Sequence, residues 1–117
     1  MSRVLKTIEV LNGKASLVKL NFSQAAEALN VNPCPETIHI EELKKWLTDI
    51  GEMNYDFIII SDVKDVNRPD ENYSVIYEKA LCAYWVIPND ENTINLLIKN
   101  LETGDSLIDT VEKLNIA

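Results

Sequence analysis

Two apolar runs flanking a single Asn-Gly pair constrain this chain most. In "VLKTIEVLNGKASLVKLNF", residues 4–22, segments rich in Val, Ile and Leu stand on either side of Asn12-Gly13. Both central residues of a type I′ turn need positive φ, and Asn-Gly supplies that at least cost. A two-residue loop pairs Ile8 with Leu17 and Leu5 with Leu20, and predicts an N-terminal β-hairpin.

The rest of the chain predicts helices and at least one further strand. Ser23 offers an N-cap to "QAAEAL", and Pro33 and Pro35 exclude a helix through "NPCPET". Ile40, Leu43, Leu47 and Ile50 recur at helical spacing, with Gly51 placed to end the helix. "YDFIIIS" is short, β-branched and unbroken, the pattern of a strand covered on both faces. "DVKDVNRPDEN" reads as a polar loop. "YSVIYEKALCAYWVI" fits both periods: Ile76, Ala80, Ala83, Tyr84 and Ile87 a helix; Leu81, Ala83, Trp85 and Ile87 a strand. A helix is favoured over most of it. Asn89 or Asp90 caps a helix striped by Ile94, Leu97, Ile98 and Leu101, which Gly104 closes. Ser106 and Asp109 approximate a capping box for a last one. The expected architecture is α+β, with the hairpin and at least one more strand packed with four or five helices as a single layer of sheet. Its 117 residues suit one domain over 1–117.

Charge is distributed unevenly. Residues 1–50 hold six Lys/Arg and six Asp/Glu, whereas residues 51–117 hold five and thirteen, so the net charge of -8 falls in the second half. Such a field repels phosphate and attracts basic surfaces. No cofactor or metal is expected. His39 is the only histidine, the glycines at 13, 51 and 104 cannot form a phosphate-cradling loop, and Asp62, Asp65, Asn67, Asp70 and Asn72 lack calcium-loop spacing. Cys34 and His39 have no evident orienting partner for nucleophilic chemistry. Asp62, directly after the apolar strand, is the favoured carboxylate should the chain be an enzyme, because strand ends hold side chains stiffly. Cys34 and Cys82 read as buried free thiols. The longest apolar run, Phe57 to Ile60, is far too short for a membrane span, and no signal peptide is apparent, so a cytoplasmic location is expected.

The functional expectation is a small acidic, non-enzymatic binding module: an inhibitor, immunity or antagonist protein. It would dock its C-terminal half on a basic protein surface or mimic a nucleic acid. Asp49, Glu52, Asp56, Asp62, Asp65, Asp70 and Glu71 would form the surface, with Tyr73 as an aromatic anchor beside Tyr55, Tyr77, Tyr84 and Trp85. Nucleic acid and membrane are disfavoured as partners, and a homodimer is compatible with the composition. The alternative rests on residues 22–47, "FSQAAEALNVNPCPETIHIEELKKWL". Phe22, Ala25, Ala26, Leu29 and Val31, followed by Ile40, Leu43 and Leu47, match helix-packing positions without a gap. The segment resembles the DNA-reading motif of LysR-type transcriptional regulators. That resemblance implies a helix-turn-helix regulator with residues 32–39 facing bases and phosphates.

Overall fold

The computed structural model describes residues 7–10, 13 and 15–113. Five strands form one mixed sheet in sequence order. They are β1 (Thr7–Val10), β2 (Ala15–Asn21), β3 (Phe57–Asp65), β4 (Arg68–Glu78) and β5 (Ala83–Pro88). Antiparallel β1 and β2 place Ile8 opposite Leu17, and Gly13 between them has a φ of 80°. The turn residues 11, 12 and 14, and the Leu5–Leu20 pair, lie outside the described residues.

The sheet is not a single layer backed by helices on one side. β2 and β3 run parallel, with Leu17 opposite Phe57 and Leu20 opposite Ile60, and parallel neighbours need a crossover. Helices α1 (Phe22–Ala28) and α2 (Ile40–Gly51) supply it on one face; α3 (Glu91–Glu102) and α4 (Leu107–Lys113) cover the other. Side-chain alternation explains the arrangement. Val18, Leu20, Ile58, Ile60, Val75 and Tyr77 pack with Leu43, Trp46, Leu47 and Ile50. Leu17, Phe57, Ile59, Ile76 and Ile87 pack with Ile94, Leu97, Leu101 and Leu107. "FIII" is unbroken because both of its faces are covered by helices.

Residues 73–87 correct the helical expectation. They form the end of β4 and most of β5, joined by a 3₁₀ turn at Lys79–Leu81 and by Cys82 in the left-handed region (φ 49°). Val75, Ile76 and Tyr77 are buried on alternate faces, which only a strand permits. "DVKDVNRPDEN" is likewise a hairpin, with Val63 opposite Tyr73 and Lys64 opposite Asn72. Asn21 caps α1 in place of Ser23. Its side chain accepts from Gln24 N–H at 2.8 Å while Gln24 Oε1 accepts from Asn21 N–H at 2.9 Å. α2 does end at Gly51, but that residue is buried, 3.5 Å from Ile58 and Tyr77 at the position of an added Cβ. Both cysteines are free, and both are exposed rather than buried. No helix among the described residues is long and apolar enough to cross a membrane.

The helix-turn-helix reading falls with the crossover. α1 and α2 belong to the connection between two parallel strands, and α2 commits Leu43, Trp46, Leu47 and Ile50 to the sheet. Ile38, within the segment expected to face DNA, is buried and donates its N–H to Lys64 O at 2.9 Å beside the end of β3.

Glu78, half-buried at the end of β4, has its carboxyl held above the ordinary carboxylate range by burial. The folded state therefore binds this proton more tightly than the unfolded chain. The stabilisation is complete below the unfolded carboxyl's pKa and lost as pH rises through the folded one. Glu78→Gln should raise the melting temperature slightly at pH 7 and leave it unchanged near pH 3, as thermal melts at the two pH values would show.

Candidate functional site

β5 is antiparallel to β4, which is antiparallel to β3, so β2, β3 and β5 point the same way. Their carboxyl ends meet at one edge of the sheet. In open α/β sheets, this is where ligands bind. Here β2 ends at Asn21, β3 carries Ser61 and Asp62, and β5 delivers Asn89.

Asp62 is the centre of this edge. It lies within a register shift between Ile60 and Val63 and adopts φ 59°, a left-handed conformation that costs an aspartate energy. Asn89 holds it there. Asp62 N–H donates to Asn89 Oδ1 at 2.9 Å, and Asn89 Nδ2 donates to Asp62 Oδ1 at 3.0 Å. Ser74, fully buried on β4, donates its hydroxyl to the same Asn89 Oδ1 at 2.8 Å. Ser61 Oγ donates to Leu20 O at 3.3 Å, which ties β3 to β2 beside it.

The crevice in front of this network has a volume of about 520 Å³, within the range of small-molecule pockets. Lys19, Asn21, Gln24, Ser61, Asp62 and Glu91 line it. Lys19 pairs with Glu91, which stands in the first turn of α3. Asp90 caps that helix, accepting from Asn92 N–H and from the Thr93 hydroxyl, at 3.4 and 2.8 Å. With Asn95, the crevice thus offers one ammonium, two carboxylates, a hydroxyl and three amides.

The carboxylates singled out in the sequence do not share one surface. Asp56 precedes β3 and Asp65 ends it, nine residues along a strand, a separation of about 30 Å. Asp49 and Glu52 stand at the end of α2, and Asp56 accepts from Ser16 N–H at 2.9 Å, which secures β2 to β3 at their amino ends. Asp65, Glu71 and Tyr73 gather elsewhere, with His39 and Arg68, around a cleft of about 430 Å³ between the β3–β4 hairpin and the start of α2. Asp70 is exposed on β4. The aromatic residues are mostly packing groups. Tyr77 is buried, Tyr55, Tyr73 and Tyr84 pack on the first core, and Trp85 packs on the second. Burial, with Asp65 and Tyr84 nearby, pushes the Tyr73 phenol up. Sequence reasoning singled out Asp62 but missed Asn21, Ser61, Ser74 and Glu91 as site residues and gave Asn89 only as a helix cap. The one available signal was that "VIPN", like "IIISD", carries a polar residue at the end of an apolar strand.

Comparison with solved structures shows that this architecture is similar to part of a ribokinase-like fold. A candidate phosphomethylpyrimidine kinase of Bacteroides thetaiotaomicron superposes with a TM-score of 0.68 at 20% identity, over 84% of this chain and 37% of that one. Staphylococcus aureus pyridoxal kinase in complex with ADP gives 0.59 at 19%, over 90% and 40%. The phosphomethylpyrimidine kinase of Clostridium difficile gives 0.57 at 15%, over 84% and 39%. The chain therefore spans about two fifths of the length of the kinases it resembles. No protein-family model and no curated protein matches it. This likeness overturns the expectation of a non-enzymatic inhibitor or DNA-binding regulator: the acidic second half supplies three strands of the sheet and the two helices that cover one of its faces.

Proposed function

We propose that the chain is a ligand-binding portion of a small-molecule kinase fold, and that the crevice at the carboxyl ends of β2, β3 and β5 receives a phosphorylated ligand, an adenine nucleotide first among them. The observation that carries this is the Asp62–Asn89–Ser74 network, which holds a strained aspartate at the edge where such sheets bind ligands. ADP is bound by the S. aureus relative, which supports the choice of nucleotide.

Electrostatics adds a condition. A bare polyphosphate entering the crevice would meet Lys19 but also Asp62 and Glu91. A divalent cation such as Mg²⁺, carried by the phosphates and shared with one or both carboxylates, removes that repulsion. Asp62 and Glu91 are the residues that would hold it. When bound, the cation would neutralise phosphate charge. This chain's own groups would bind and orient: Lys19 toward phosphate oxygen, Gln24 Nε2 as a hydrogen-bond donor, and Asn89 keeping Asp62 directed to the crevice. The free thiols and a nucleotide ligand suit a cytoplasmic setting.

Isothermal titration with ADP should show binding with Mg²⁺ and its loss with EDTA. Asp62→Ala should weaken the Mg²⁺-dependent affinity about ten-fold or more. Absence of binding at millimolar ADP with Mg²⁺ would refute the reading, as would an affinity that Asp62→Ala leaves unchanged.

A further inference from the structure

Lys19 is the one cationic side chain lining the crevice among the described residues, and it is already engaged. It stands on β2 opposite Ile59, on the same face as Leu17, and its ammonium pairs with Glu91 in the first turn of α3. The two residues are 72 positions apart, and their ion pair bridges the crevice from the sheet to the helix. The Lys19 side chain is 26% exposed and that of Glu91 67%, and an ion pair so open to water adds little to folding stability. Asp62, the other carboxylate of the crevice, is held by Asn89 rather than by Lys19. Glu91 alone therefore stands between Lys19 and an incoming anion.

We propose, resting on the reading of the crevice as a phosphate site, that Glu91 is a specificity-determining residue. By occupying Lys19 it admits a phosphate that arrives with a divalent cation and excludes one that arrives without. Charge balance at the ion pair makes the distinction. A metal-free phosphate reaches Lys19 only by displacing Glu91, whose carboxylate is then left unpaired beside the new anion. Like charges that close repel strongly where water is partly excluded. A metal-bound diphosphate offers each partner a replacement: phosphate oxygen for Lys19, and a hard cation that takes carboxylate oxygen for Glu91. The pair is then exchanged, and neither charge is stranded. Removing the Glu91 charge should abolish the distinction while leaving Asp62 to serve the cation.

Isothermal titration with ADP, in Mg²⁺ and in EDTA, on the native protein, Glu91→Gln and Glu102→Gln tests this. Native protein should bind ADP with Mg²⁺ and lose it with EDTA. Glu91→Gln should raise the affinity for ADP in EDTA about ten-fold or more, so that the two conditions converge. Glu102→Gln removes the same charge from the exposed far end of α3, outside the crevice, and should keep the native pattern. Should Glu91→Gln fail to fold, Glu91→Ala provides the same comparison. A Glu91→Gln variant that binds ADP more weakly with Mg²⁺ and still not in EDTA overturns the proposal, because Glu91 would then be a metal ligand and nothing more. A pattern identical to native overturns it as well, as does native binding that EDTA leaves intact. Native protein that binds ADP in neither condition refutes the phosphate site itself, whereas native Mg²⁺-dependent binding that Glu91→Gln does not alter refutes only the role of Glu91.

Discussion

Replacing Trp46 by alanine should destabilise the protein by about 3–5 kcal/mol, the cost of removing a large aromatic from a well-packed interior. Trp46 is 4% exposed on α2, and its ring stacks on Phe22 of α1 with centroids 5.0 Å apart and planes 12° from parallel. The pair joins the two crossover helices to each other and to the sheet. A cavity there loosens both ends of the connection between β2 and β3. Trp46→Phe keeps an aromatic ring and should recover much of the loss. A shift of this size corresponds to a fall in melting temperature of roughly 12–30 °C for a chain of this length. Thermal and urea melts of the two variants would measure it. A loss under about 1 kcal/mol for Trp46→Ala would mean that α2 does not pack as described. It would also reopen the question of what residues 22–47 do, since a helix that is not committed to a core is free to present a face elsewhere.

The physics of alternation explains what could be read in advance. "FIII" demanded cover on both faces, and that demand already contained the second helical layer. The extent of the sheet was underestimated because residues 73–87 were assigned to a helix. "SVIYEKALCAYWVI" carries apolar residues at both helical and strand spacing. The decision turns on Cys82, whose positive φ breaks the run in the middle and which is not a residue type that advertises a turn. The matching of 22–47 to a helix-turn-helix rested on packing positions: Phe22, Ala25, Ala26, Leu43 and Leu47 are in the core, while Leu29, Val31 and Ile40 are only partly buried against it. What they pack against, a sheet, depends on the parallel pairing of β2 with β3 about 40 positions apart, which no local pattern encodes. The same holds for the site. Asp62 stood out at a strand end, but its partner Asn89 is 27 positions away and meets it only because β5 turns out to be a strand.

That partnership supplies the second large effect, Asn89→Leu. Asn89 Oδ1 accepts two hydrogen bonds, one from the backbone of Asp62 and one from Ser74, and a leucine accepts neither. Asp62 is exposed and can turn to water, but Ser74 is fully buried. Stranding its hydroxyl should cost about 1–3 kcal/mol, the desolvation of a buried donor without a partner. Ser74→Ala should cost less than about 1 kcal/mol, because donor and demand vanish together and Asn89 retains Asp62. In the double variant, Asn89→Leu should become markedly less damaging than on its own, and that non-additivity is the signature of one shared network. The functional consequence runs the other way. Ser74→Ala leaves Asp62 clamped and should nearly preserve Mg²⁺-dependent ADP affinity, whereas Asn89→Leu should reduce it at least about ten-fold whether or not Ser74 is present. Urea melts give the first comparison and calorimetry the second. Equal stability losses for Asn89→Leu with and without Ser74 would show that the buried hydroxyl does not depend on Asn89. Native ADP affinity in Asn89→Leu would show that Asp62 needs no partner to hold its left-handed backbone at the mouth of the crevice.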